Sequence, residues 1–307
     1  MRRARKSLTV IAALVVLAVI IWGVAQWIAG TNNGGQKTTG AQPTDVVQPE
    51  WCPAVEFISI PGTWESSATD DPVNPTFNPE SFMLNITGPL QQMYSPDQVK
   101  VFTVPYTAEF RSVQDIGQMS YDDSRDEGYD TALNEITATN GECPLTEYLL
   151  AGFSQGAVIA GDLASEIGNW RTDIDPGLVI GGTLIADGRR EAGVGNVVGN
   201  PVDGVGAEIS LHPVNALIQV VVPGATMRGT RAGGFGVLAD RMMDICATDD
   251  SICDAPIDAG NALERAQALI AANGIHAMYA SNPDVIPGTT ADQWTVGWAQ
   301  EIIDSRL

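Results

Sequence analysis

The stretch "LLAGFSQGAVIAG" spans Leu149–Gly161. An apolar run leads into a serine boxed between Gly152 and Gly156, and small residues follow. The run before Ser154 reads as a strand and the run after it as a helix. Two glycines let the backbone turn tightly between them without side-chain clashes. This is the G-x-S-x-G nucleophile elbow in its expected strand–turn–helix setting. Such a turn lifts the hydroxyl above a sheet. The helix N-terminus beneath it aims backbone N–H groups and partial positive charge at the same point. The amide of Gln155 is then a natural donor to an oxyanion.

Working outward, short β-rich runs alternate with helical stretches, the pattern of a parallel sheet covered on both faces. "VEFISI" (Val55–Ile60) and "VKVFTVPY" (Val99–Tyr106) precede the central strand "EYLLAGF". "GLVIGGTLIAD" and "ALIQVVVPGA" are further strand candidates. A helix is predicted between the second and third strands. Ser124 and Glu127 form its capping box, Tyr129, Leu133 and Ile136 share one face, and Gly141 stops it. Helices are also expected over Glu264–Gly274 and over "ADQWTVGWAQEIID". Residues Gly188–Gly206, rich in glycine and without periodicity, read as a surface loop. No internal repeat is visible.

A serine hydroxyl needs a base to attack anything. The sequence holds two histidines, His212 and His276. His212, in "SLHPVNAL", stands before a proline and a predicted strand and reads as a surface or edge residue. His276, in "NGIHAMYA", lies late in the chain. Hydrolases with this elbow place the base last, in the order Ser, acid, His, so His276 is the candidate base. The orienting carboxylate belongs between them. "MMDICATDDSICDAP" offers Asp244, Asp249, Asp250 and Asp254. Asp249 and Asp250 fall inside a loop bounded by Cys246 and Cys253, where a disulfide would hold a carboxylate rigidly. Spacing alone does not choose between these two.

The remaining features place the domain. Of 307 residues, 44% are hydrophobic, ample for one globular core. The net charge is −21, but the first 30 residues carry four basic residues and no acidic ones. The rest therefore holds 12 basic against 37 acidic residues, a net −25. So acidic a body repels phosphate backbones, which argues against nucleic acid as a partner. It also repels anionic headgroups unless a tether holds it at a membrane. Leu8–Ala29 supplies one: 22 uncharged residues behind "MRRARKS", against the roughly 20 a spanning helix needs. Trp22, Trp27 and Ile28 crowd the exit where a cleavage site would lie, and tryptophans suit an interfacial belt. Residues 1–29 are therefore expected to be an uncleaved anchor, with a cleaved signal peptide as the alternative. The basic cluster stays cytoplasmic, so the domain is extracytoplasmic, or secreted if the anchor is cleaved. Residues 30–50 read as a flexible linker and 51–307 as the folded domain. Four cysteines in an exported domain favour two disulfides. Cys246 with Cys253 is the local choice, leaving Cys52 with Cys143. Without C-x-x-C spacing, zinc is not expected.

With "GFSQG", "CATDDSIC" and "HAMY" on the page, the chain resembles the cutinase family of serine esterases. Within that family it looks most like the membrane-anchored cutinase-like proteins of mycolic-acid-containing actinobacteria. The likeness covers about residues 51–306. The family carries C-x-x-x-D-x-x-C around its acid, which selects Asp250 over Asp249. Its histidine precedes an aromatic, as His276 precedes Tyr279. Its G-S-T-E-like loop after the first strand corresponds to "PGTWES", which puts Thr63 at the second oxyanion donor position through its N–H, with its hydroxyl a further candidate. Trp64 replaces a smaller residue there and adds bulk at the acyl site. The family pairing also supports Cys52 with Cys143. The resemblance implies a compact α/β-hydrolase-like three-layer sandwich with a central five-stranded parallel sheet and a shallow, largely lidless site. It implies ester hydrolysis through an acyl-enzyme on Ser154, Asp250 and His276, with Thr63 and Gln155 at the oxyanion, and no metal or cofactor. An anchored enzyme cannot reach plant cutin, so envelope lipid esters, phospholipids among them, are the expected substrates, and a monomer is expected. An acyltransferase or thioesterase would share this sequence pattern, and a non-catalytic envelope binding protein is the third reading.

Overall fold

A computed structural model describes residues 47–257 and 274–307 of the chain. The expected anchor, most of the linker and the helix expected over Glu264–Gly274, apart from Gly274 itself, lie outside these residues. Among the described residues, six strands make one sheet: β1 (Val55–Ile60), β2 (Val99–Thr103), β3 (Glu147–Phe153), β4 (Val179–Ile185), β5 (Asn196–Val197) and β6 (Met242–Ile245). Their order is β2-β1-β3-β4-β6-β5, and every pairing is parallel. All six residues of β1 are buried, as a strand covered on both faces requires. The sixth strand corrects the five expected. It is a two-residue edge strand inside Gly188–Gly206, paired with Met243 and Asp244 of β6. That segment is therefore not simply a surface loop: Gly188, Arg190, Val202 and Val205 are buried.

Alternate strand residues feed two cores. Val55, Phe57, Leu149 and Ala151 pack under α1 (Leu84–Met93) and the C-terminal α6 (Ala291–Asp304), meeting Ile86, Leu90, Ala299 and Ile303. Ile58, Ile60 and Leu150 face α2 (Tyr121–Glu142) and α3 (Gln155–Gly168), meeting Ile136, Ala157, Ala160 and Leu163. The three-layer expectation holds. Disulfides join Cys52 to Cys143 and Cys246 to Cys253.

Two element predictions are corrected. The α2 helix starts before Ser124: Ser120 is its N-cap, its hydroxyl accepting the Asp123 N–H at 3.1 Å. Ser124 and Glu127 instead serve the preceding loop. The Ser124 hydroxyl donates to the Thr107 carbonyl at 2.6 Å, and Glu127 accepts the Thr107 N–H at 2.6 Å. "ALIQVVVPGA" is not a strand. Its core is helix α5 (Asn215–Val221), which follows the short α4 (Ala207–Leu211). Ile218 and Val222 are buried in a small satellite core with Tyr121, Leu211 and Met227. That packing outweighs the strand preference of a β-branched run.

Candidate active site

β1 and β3 are neighbours in the sheet, and the chain leaves β1 toward β2 on one side but leaves β3 toward β4 on the other, so the connections diverge between their C-terminal ends. Such a switch point is where open α/β sheets place a ligand crevice. The loop after β1 carries Thr63, and the turn after β3 carries Ser154. Ile60 and Gly152 are paired in register, so both loops leave the sheet side by side.

The turn is as tight as the glycines imply. Ser154 has φ 54° and ψ −118°, and its N–H donates to the Ile185 carbonyl of β4 at 2.9 Å. A Cβ on Gly152 would lie 2.2 Å from the Gly156 carbonyl oxygen, and one on Gly156 would lie 2.0 Å from that of Ile60. No side chain fits at either position, because α3 starts directly against β1 and β3.

His276 and Asp250 come to this hydroxyl from distant parts of the chain. The Ser154 Oγ lies 2.8 Å from His276 Nε2, and His276 Nδ1 lies 2.9 Å from Asp250 Oδ2 and 3.2 Å from Oδ1. Asp250 is fully buried in the Cys246–Cys253 loop, where its Oδ1 also accepts the Ile252 N–H at 3.0 Å. The rival carboxylates are committed elsewhere. Asp244 pairs with Arg190 at 2.5 Å, and burial pushes its carboxyl up to about 6. Asp254 accepts the N–H groups of Gly204 and Asp249, at 2.7 and 2.9 Å. Asp249 turns outward with φ 63°. His212 bonds the Met227 carbonyl through Nδ1 at 2.7 Å.

At the oxyanion side, the N–H of Gln155 stands at the first position of α3, where a helix supplies no acceptor. The Thr63 hydroxyl donates to Gln155 Oε1 at 2.9 Å, and Gln155 Nε2 donates to Ser124 Oγ at 2.8 Å. The Thr63 hydroxyl is thus engaged in holding the loop, and its N–H is the donor available for a ligand. Trp64, at φ 64°, is half exposed at the cavity edge, its Nε1–H donating to Gln118 Oε1 at 3.0 Å.

Two neighbours escaped the sequence reading. Glu65 accepts the Gly62 N–H at 3.0 Å, the Phe82 N–H at 2.9 Å and the Ser81 hydroxyl at 3.1 Å, fastening the loop that carries Thr63. Burial raises its carboxyl above the ordinary value, against these donors and the nearby His276. The Phe153 ring stacks on His276, centroids 5.1 Å apart. An acidic residue close after Thr63 and an aromatic beside the serine are both visible in the sequence, but their partners come from loops that only the fold brings together.

The cavity over Ser154 encloses about 340 Å³. Phe82, Phe110, Tyr121, Phe153, Val158 and Met227 are among its apolar lining, and Glu65, Glu80 and Glu208 add carboxylates. Among the described residues, no group of three or more His, Cys, Asp or Glu side chains could hold a metal ion.

Comparison with known proteins bears on family and fold. The family model described as Cutinase matches residues 52–267. A protein of Corynebacterium glutamicum described as "Carboxylesterase Culp6 homolog" is 58% identical, over 98% of this chain and 99% of that protein. A cutinase-like protein from Cryptococcus superposes with a TM-score of 0.53 at 17% identity, covering 84% of this chain and 98% of its own. The catalytic core of the Trichoderma reesei acetyl xylan esterase gives 0.50 at 18%, covering 83% and 100%. At such identities these two structures speak for the fold alone. Family match and close relative together decide the assignment: the chain belongs to the cutinase family of serine esterases.

Proposed function

We propose that the protein hydrolyses carboxylic esters of envelope lipids from the outer face of the cytoplasmic membrane, through an acyl-enzyme on Ser154. The observation that carries this reading is the unbroken Ser154–His276–Asp250 hydrogen-bond chain, with links of 2.8 and 2.9 Å. His276 Nε2 takes the serine proton as Oγ attacks the ester carbonyl carbon. The resulting oxyanion sits against the N–H groups of Gln155 and Thr63, and Asp250 stabilises the imidazolium. His276 then returns the proton to the departing alcohol oxygen, leaving an ester on Ser154. Water then enters where the alcohol departed and attacks the acyl carbon, with His276 as base and Ser154 Oγ, reprotonated by His276, as leaving group. The apolar wall of the cavity suits an acyl chain. Tethering is supported by the charge-free run Leu8–Ala29 behind a basic cluster, which would offset the repulsion between an acidic domain and anionic lipid.

The test is turnover of nitrophenyl esters of graded chain length, then of a lipid panel in mixed micelles, by wild type and Ser154→Ala. Wild-type turnover lost by at least 10³-fold in the variant is expected. Undiminished activity in Ser154→Ala would sink the assignment.

A further inference from the structure

One hydroxyl beside the catalytic chain has no part in the scheme above. Tyr279 is 1% exposed. Its O–H donates to Asp250 Oδ2 at 2.7 Å and accepts the Ala247 N–H at 2.9 Å, with Cys253 Sγ 3.3 Å away. Its ring meets Phe153 and His276 edge-on, at 5.8 and 6.3 Å between centroids. Tyr279 stands three residues after His276 on the same loop. One short segment therefore brings both the base and a hydroxyl that grips the acid from behind, while Ala247 ties it to the start of the disulfide loop.

A carboxylate without solvent depends on donors to stay ionised. Asp250 has the Ile252 N–H, the His276 ring and the Tyr279 hydroxyl. We infer that Tyr279 is a positioning residue that sets how strongly Asp250 stabilises the His276 imidazolium. The inference rests on the triad reading above. A donor drains charge from the carboxylate most when the imidazole opposite is neutral. Removing the donor therefore costs the neutral-imidazole state more than the imidazolium state, and the base titrates at higher pH. Burial and the Asp250 charge hold the Tyr279 phenol well above its ordinary value, so the donor keeps its proton throughout. Among the described residues, two other acids bear on the pair: Glu65, from the loop after β1, and Asp244 on β6, itself paired with Arg190. Both are common to every variant below, so the shift between proteins isolates Tyr279.

The experiment is kcat/KM for nitrophenyl butyrate against pH, on the full chain. It compares wild type, Tyr279→Phe and protein carrying 3-fluorotyrosine at position 279 alone. For Tyr279→Phe we expect the acid limb to move up by about half a pH unit or more. Fluorotyrosine, a more acidic donor, moves the limb down. Limbs that coincide, or a lower kcat with the limb in place, would overturn the role. Should Tyr279→Phe fail to fold, the fluorotyrosine limb decides by itself, and an unmoved limb overturns the inference. Ser154→Ala runs alongside: activity there defeats the triad reading, whereas an inactive Ser154→Ala with unmoved limbs defeats only the assignment of Tyr279.

Discussion

At Ser154 the backbone holds a conformation that costs a non-glycine residue about 1–3 kcal/mol. The bonds to β4 and the start of α3 impose it, and the reward is a hydroxyl aimed at His276. The two histidines make the sharpest comparison at this scale. His276→Ala should lower kcat/KM on the order of 10³-fold or more, while His212→Ala leaves it within about twofold. Esterase assays on both variants check this, and the reverse pattern would exchange their roles. The meeting of Ser154 with His276 is legible in the sequence, because a motif points to one and a chain order to the other. Which carboxylate faces His276 is not legible from spacing. Asp249 and Asp250 are adjacent, and what separates them is that one turns outward while the other points inward beneath the disulfide loop. Family resemblance resolved that choice. The grips of Tyr279 and Glu65 depend on loops meeting across the fold, and no local pattern encodes them.

Among the elements, those with strong local signals agree between sequence and structure. β1, β3 and α3 combine β-branched or small residues with turn glycines, and each lies where the sequence predicts it. The failures share a physical cause. α5 is rich in valine yet helical, because the satellite core supplies its burial. The edge strand β5 has two residues and no periodicity to read. β1 also carries a feature remote from the site. Glu56 is buried and paired in register with Lys100 of β2, at 2.9 Å, while Lys100 also bonds Glu135 of α2. Burial pushes the Glu56 carboxyl up to about 7, although Lys100 pulls it down. A carboxyl raised in the fold favours the folded state below its unfolded value, near pH 4.5. That contribution is lost as pH climbs through about 7. Glu56→Gln should therefore gain Tm relative to wild type between pH 5 and pH 8. Thermal melts at both pH values test this, and a Tm difference independent of pH would contradict it.

For the whole molecule, charge and connectivity matter more than any single contact. A body of net −25 cannot rely on attraction to anionic lipid, and on the reading proposed above the N-terminal segment would supply that access. Two disulfides join distant and local parts of the domain, and one of them frames the loop that carries Asp250. The crevice at the switch point gathers residues more than 200 positions apart in sequence, from Thr63 to His276. Everything proposed for it depends on Ser154 being the nucleophile. The direct measurement is intact mass and peptide mapping after treatment with a nitrophenyl alkylphosphonate, which mimics the tetrahedral intermediate and is trapped covalently. The account predicts one adduct per chain, on Ser154, rising in step with loss of esterase activity and absent from Ser154→Ala. An adduct on another residue, or activity that survives full modification of Ser154, would contradict it.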